Sequence, residues 1–339
     1  MNRQRFTVNP QNFRKMKLIT VLFLLIASSA FGQITTLKLG SDIWPPFTNE
    51  KPEMAFALDV VSSALERSFV KPEIVIQDFE KVLDDLEAGK LDGSAALWKT
   101  PERESFLLFS QPYLQNQLIL VGRKGSDVSA ATLNDLNGKK VGIVSNYAYG
   151  DDLKGETAAS FIAGTSDQEN LEKLLENEID FMLVDALLIQ YVLRYQSEEA
   201  ARYLEIGTNS LLTKSLHFAI RKDHPDAANI IVKFNEAILK MIGDGSYNEI
   251  LQLNWIKADV DGDGNVELLL KGSAAGTQVP SGSYSVWFNS EQPTNTLTSG
   301  FYIDGKYYDS WNDIPSQYKT PPSNPLDVQP VNILNFKIK

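Results

Sequence analysis

Two stretches of this sequence carry side chains of the type and spacing that chemistry needs. The first is Thr100-Pro101-Glu102-Arg103, a turn that follows the short apolar run Gly93–Leu97 and Trp98. A buried strand stopping at that turn would hold Arg103 at a rim, where its five N–H donors match a carboxylate as a bidentate fork. Alternatively, Arg103 pairs with Glu102 or Glu104 on a solvated turn. Asp185 likewise closes an apolar run, Phe181–Val184, and either faces a cleft or caps a helix beginning at Ala186. The second stretch is Asp259-Val260-Asp261-Gly262-Asp263-Gly264-Asn265-Val266-Glu267. Its acids at positions 1, 3, 5 and 9, with Gly at 6, crowd oxygen ligands as the start of an EF-hand-type Ca2+ loop does. The expected ligands are Asp259, Asp261, Asp263, Asn265 and Glu267; position 12 is Leu270, so the usual bidentate glutamate is missing. A Ca2+ there would be structural, pinning a junction; the bland alternative is a solvated acidic turn.

Aromatic residues accompany these groups. In Ser41-Asp42-Ile43-Trp44-Pro45-Pro46-Phe47 the two prolines fix an extended turn and set Trp44 and Phe47 on a rigid loop. Trp98 ends the strand before Arg103, and Tyr147 and Tyr149 follow a later strand. Each could line a site or simply pack. His217 and His224 are the only histidines and have no third ligand at metal spacing, so both are expected to be non-functional. No phosphate-cradling glycine loop or nucleophile motif is present.

Alternating strands and helices must position these residues. Strands are expected at Leu37–Gly40, Ile74–Ile76, Gly93–Leu97, Gln117–Arg123, Lys140–Val144, Phe181–Val184 and Leu216–Arg221. Helical patterns cover Ala57–Phe69, Phe79–Ala88, Ala131–Leu136, Thr157–Ile162, Asn170–Glu176, Ala186–Tyr195, Pro225–Ile242 and Ser246–Leu253. Repeated strand–helix–strand order implies a largely parallel sheet with helices on its faces. Gln117–Arg123 reads as a crossover out of a first lobe and Leu216–Arg221 as the return. Composition shifts at Lys257 to Gly, Ser, Pro, Asn and Tyr. Beyond it Ser283–Phe288 and Phe301–Tyr308 read as strands, with a hairpin signal at Asp304-Gly305.

Composition narrows the possibilities further. Met16–Gly32 has the basic residue, apolar core and small-residue end of a cleavable signal peptide, with Met16 the favoured start of translation. Without residues 1–32 the chain holds 27 basic and 43 acidic residues, a net charge of −16. That surface argues against nucleic acid as a partner. With no cysteine there is no disulfide framework, no thiol chemistry and no lipid attachment at the cleavage site.

Several motifs in one order resemble the family 3 extracellular solute-binding proteins, the polar-amino-acid receptors of ABC importers: SDIWPPF, LEAGKLDG, TPER before FSQPY, LNGKKVGI, ENEIDFMLVDA, FAIRKDHP and IGDGSYNEILQLNW. The resemblance runs from about Leu37 to Trp255. It implies an α/β, two-lobed type II periplasmic-binding-protein fold with two crossover strands, here followed by a small C-terminal β-rich module. The expected divisions are a signal peptide at 1–32, lobe 1 at 33–122, lobe 2 at 123–215, the return to lobe 1 at 216–256, and the calcium-loop junction and module at 257–339. In such receptors the place of Arg103 pairs the ligand carboxylate and that of Asp185 the ammonium, while Trp44 and Phe79 stand at aromatic pocket positions. The resemblance also departs: Ala95-Ala96-Leu97-Trp98-Lys99 replaces a hydroxyl-rich strand end, and Ser145-Asn146-Tyr147-Ala148-Tyr149 replaces a small Gly-Ser/Thr-Thr turn. The pocket is therefore expected to be more aromatic. The implied role is capture of a small polar solute, such as an amino acid, for an ABC-transporter permease. The rival readings are a sensor or docking protein that uses the module, and a dehydratase on the same fold.

Overall fold

The computed structural model describes residues 35–50, 53–153, 159–260, 263–270, 276, 284–287, 298–320 and 333–337. The signal-peptide segment and Asp261 lie outside them. Among the described residues, no helix is long and apolar enough to cross a membrane.

The first lobe begins with β1 (Thr35–Ser41), α1 (Phe56–Arg67), β2 (Val70–Ile76), α2 (Phe79–Glu87) and β3 (Gly93–Trp98). β3 is buried at every position, which is why it reads as a continuous apolar run rather than an alternating one. The TPER turn is a single helical turn, α3 (Pro101–Glu104), with Pro at its start and the Thr100 side chain accepting from the Arg103 N–H. β4 (Leu107–Phe109) and β5 (Leu114–Arg123) follow.

The second lobe contains β6 (Lys140–Val144), β7 (Ser160–Gly164), α4 (Asp167–Leu175), β8 (Phe181–Asp185), α5 (Ala186–Tyr195) and α6 (Ser197–Tyr203). Two expectations change here. Thr157–Ile162 is not helical where it is described, because Ser160–Gly164 pairs in parallel with β6. So short an apolar run cannot by itself separate strand from helix. Ala131–Leu136 shortens to a 3-10 turn at Leu133–Leu136, held by a capping box between Thr132 and Asp135.

The return strand is longer than its sequence suggests: β9 spans Leu204–Arg221 and pairs antiparallel with β5 from Leu114↔Leu216 to Arg123↔Leu204. Gly207 hides part of it, since a side chain there would meet the Leu120 and Val128 carbonyls at 2.8 and 2.9 Å. One sheet thus runs β2-β1-β3-β9-β5-β8-β6-β7, with β4 also on β9. The two crossover strands lie side by side in the middle of that sheet. Helix α7 (Ala227–Asp244) ends at Gly245, whose φ of 78° supplies the left-handed cap, and α8 (Ser246–Leu251) follows.

A second sheet, ordered β12-β10-β11-β13-β14, is built from β10 (Ile256–Ala258), β11 (Val266–Leu270), β12 (Tyr284–Trp287), β13 (Thr298–Ile303) and β14 (Lys306–Tyr308). Asp304-Gly305 is the expected hairpin turn, with φ of 49° and 76°. Trp255, Leu268, Leu270, Phe301 and Ile303 form a small core of their own, while Ile256, Ala258 and Leu269 join the main core. The chain end joins it too. Ile333, Leu334 and Phe336 are buried against the second lobe, where Gln196 bonds the Ile333 and Leu334 N–H groups and the Leu334 carbonyl.

Candidate functional site

Arg103 is buried between the lobes at 7% exposure. Its Nη1 donates to the Trp98 carbonyl at 2.8 Å, Nη2 makes a long 3.5 Å contact with the Asn146 carbonyl, and the guanidinium lies 5.4 Å from the Phe79 ring centre. No carboxylate among the described residues is within ion-pair distance of it. Burial lowers its pKa to about 10, which Glu102 only partly offsets. A guanidinium taken out of water without a counter-ion favours any anion that reaches it.

Asp185 ends β8, and it is at once a helix cap and a cleft residue. Its Oδ1 accepts from Leu187 N at 2.7 Å and Leu188 N at 3.4 Å, which satisfies the start of α5. Its Oδ2 accepts from Asn116 Nδ2 at 2.9 Å, and Asn116 Oδ1 accepts from the Trp98 indole at 2.7 Å. Asn116, on β5 and fully buried, therefore ties the tip of β3 to the tip of β8.

The expected aromatic pocket is present as a packed cluster. Trp44 stacks on Phe47 with centroids 4.1 Å apart and meets Trp98 and Tyr147 edge-on at 6.3 and 5.5 Å. Tyr147 lies 5.7 Å from Phe79 and 5.4 Å from Trp98, which also meets Tyr149 at 5.4 Å. Trp44, Trp98 and Tyr147 leave two small cavities. One, of about 20 Å³, is also lined by Arg103, Phe79 and Asp42; the other, of about 10 Å³, by Asp185, Asp167 and Tyr149. Each has room for about one water. Outside them a groove of about 820 Å³ is lined by Arg103, Tyr147, Tyr149, Phe106 and the acids Glu80, Asp84, Glu87 and Glu102.

Two cleft acids escape a reading of the sequence. Asp42 accepts the Tyr147 hydroxyl, and burial raises its pKa to about 6. Asp167, the first residue of α4, accepts from the Trp44 indole; burial and then the charge of Asp185 raise its pKa to about 7. Asp42 sits inside the SDIWPPF motif, yet Trp44 draws the eye there. Asp167 follows Ser166, whose side chain caps α4, so its position reads as an ordinary helix start. His217 proves a satisfied core residue, its two ring nitrogens 2.7 Å from the Ser110 carbonyl and 2.9 Å from Ser215 Oγ.

The acidic loop joins β10 to β11, so strands and not helices flank it. Asp259 and Glu267 are buried, and their carboxylates accept from Gly264 N at 3.2 Å and Val260 N at 3.1 Å. Among the described residues, no three acids or histidines converge as a metal cluster.

Residues 37–258 match the bacterial extracellular solute-binding proteins, family 3. The chain belongs to that family. The arginine-binding protein 1 of an Escherichia coli ABC transporter is 23% identical over 240 residues, covering 68% of this chain and 96% of that relative. The lysine/arginine/ornithine-binding periplasmic protein of the same bacterium is 24% identical over 252 residues, covering 69% and 95%. Among solved structures, an ancestral arginine-binding protein bound to arginine is 26% identical with a TM-score of 0.54, covering 64% of this chain and 96% of that one. The VFT2 domain of Bordetella pertussis BvgS, 22% identical with a TM-score of 0.55 over 64% and 92% of the two chains, shares the fold. These neighbours establish the type II periplasmic-binding-protein architecture, and the family is mainly one of non-enzymatic, solute-binding proteins. The family match stops at Ala258, the last residue of β10, so most of the second sheet lies beyond it.

Proposed function

We propose that this protein is an exported receptor that captures an amino acid or related zwitterion between its lobes and delivers it to an ABC importer without a chemical step. The observation that carries this reading is Arg103, a buried cation with no acidic partner among the described residues, facing both the inner cleft and the outer groove. A ligand carboxylate supplies the missing charge through a bidentate pair. Asp185 and Asp167, across the cluster, are the matching partners for an ammonium. Trp44, Phe79 and Trp98 supply apolar and ring-face contacts. The names of the arginine-binding relatives fit a cationic side chain, as does the acidic wall of the groove. The leader at residues 1–32 would direct the chain to the periplasm, and Ca2+ in the loop from Asp259 to Glu267 would stiffen the hairpin that carries the second sheet.

A sensing role is the second reading. A segment of the virulence sensor protein BvgS is 30% identical over 112 residues of this chain, and the appended sheet offers a surface for another protein. A dehydratase reading draws on an ancestral amino-acid-binding protein, 23% identical with a TM-score of 0.53, described as a precursor of cyclohexadienyl dehydratase. Inactivity toward prephenate and arogenate would remove it. The deciding experiment is a thermal-shift panel of amino acids and small carboxylates on protein starting at Gln33. A ligand at a hundred times its Kd adds about 2.7 kcal/mol. A zwitterionic hit that disappears in Arg103→Ala is the expected result; a hit that survives it, or no hit, refutes the reading.

A further inference from the structure

We propose that Tyr147 occupies the solute's own place in the cleft and, by having to be expelled, determines which solutes the receptor admits. The inference rests on the receptor reading for its ligand class, but the position of the ring is independent of it. Tyr147 belongs to the second lobe, just after β6, yet its contacts are chiefly with the first. Its ring meets Trp44, Phe79 and Trp98 at 5.4–5.7 Å, and its hydroxyl donates to Asp42. Among the described residues it alone lines both inner cavities and the outer groove. With Trp44 and Trp98, which also line both inner cavities, it forms the partition between Arg103 on one side and Asp185 on the other, and of the three rings it is the one that faces the groove.

The volumes show what that partition does. A small-molecule site is ordinarily about 300–1,000 Å³. The outer groove, at about 820 Å³, is in that range, whereas the inner spaces of about 20 and 10 Å³ are not. A zwitterion can reach Arg103 from the groove, but it cannot span to the inner acids while the phenol ring lies between. The backbone beyond the ring is pinned. The Tyr149 hydroxyl accepts from Val144 N at 3.0 Å, and its carbonyl accepts from Lys214 Nζ at 2.7 Å. With that backbone held within the second lobe, rotation about the ring's own two side-chain torsions is a route for clearing the slot. Expulsion breaks the bond to Asp42 and frees the faces of Trp44 and Trp98 for the incoming side chain.

The test uses the full mature chain and two probes: p-cresol, which is the tyrosine side chain itself, and the twenty amino acids, both measured by calorimetry. In Tyr147→Gly the vacated slot should bind p-cresol, as an apolar cavity takes up the group it lacks, and wild type should not. The same variant should bind at least one amino acid tenfold or more tightly than wild type and accept bulkier side chains. Tyr147→Phe keeps the ring but loses its bond to Asp42; it should bind no p-cresol and should tighten amino-acid binding severalfold. A folded Tyr147→Gly protein that ignores p-cresol, or amino-acid affinities unchanged or weakened in both variants, overturns the proposal. If p-cresol fills the variant while no amino acid binds either protein, the receptor reading fails and the placement of Tyr147 stands.

Discussion

Trp44 in the first lobe donates its indole N–H to Asp167 in the second, so the lobes are joined by a bond to an acid that burial holds near neutrality. The pKa of that acid, about 7, lies well above the ordinary value of 3.8. The native state therefore binds more protons than the unfolded chain between about pH 4 and 7, and the contribution of Asp167 to stability is lost as pH rises through that window. Asp42, raised to about 6, acts in the same sense. Asp85 and Glu169, held low by Lys81 and Lys173, act in the opposite one. Comparison with Asp167→Asn isolates the effect, because the amide oxygen still accepts from Trp44. Thermal melts at intervals from pH 4 to 8 should show wild type losing stability relative to the variant as pH rises; parallel curves would refute it.

Asn116 bridges Trp98 and Asp185 with no exposure to solvent. Asn116→Ala removes the acceptor of the buried Trp98 indole N–H and one bond to the buried Asp185 carboxylate at once. Each such loss costs about 1–3 kcal/mol. Denaturant melts should show a loss of at least about 2 kcal/mol, and a neutral substitution would mean that the bridge is not formed.

Gln196 holds the chain end on the second lobe through three bonds of 2.6–3.0 Å. Phe336 adds a ring stacked on Tyr203 at 6.0 Å. In Gln196→Ala the amides of Ile333 and Leu334 should exchange with solvent at least about tenfold faster, corresponding to about 1.4 kcal/mol of lost protection. Exchange in β5 and β9 should be unaltered, since neither strand depends on that contact.

Ca2+ bound to the acidic loop predicts a thermal shift that chelator removes and Mg2+ does not reproduce, because the loop offers the several flexible oxygen ligands that Ca2+ prefers. Asp263→Ala should abolish the shift and leave amino-acid binding unchanged. No shift at millimolar Ca2+ would reduce the loop to a hydrogen-bonded hairpin turn, a role that Gly264 N to Asp259 at 3.2 Å and Asn265 N to Asp263 at 2.7 Å already support.

The strands that carry the site were readable because burial on both faces leaves continuous apolar runs: Gly93–Trp98 and Phe181–Asp185 are buried throughout. The Thr100–Arg103 stretch was readable as a turn after Trp98, and the structure makes it a single helical turn capped by Thr100. The length of β9 was not, because Gly207, Asn209 and Ser210 interrupt the pattern while its partner β5 supplies the bonds that keep it extended. β7 was mistaken for helix for want of length.

By itself the sequence determined most of the order of elements, the family, and the presence of a cation at Arg103 and an acid at Asp185, since each depends on local pattern or on residue type. Only the tertiary structure decided that Asp42, Asn116 and Asp167 belong to the same cleft, and that Tyr147 fills it. These residues come from β5 and from loops and helix starts far apart in the chain. Nothing in a local pattern records which of them meet where the two lobes pack together. Their burial, and with it the raised pKa values of Asp42 and Asp167, is a property of that packing and not of any segment.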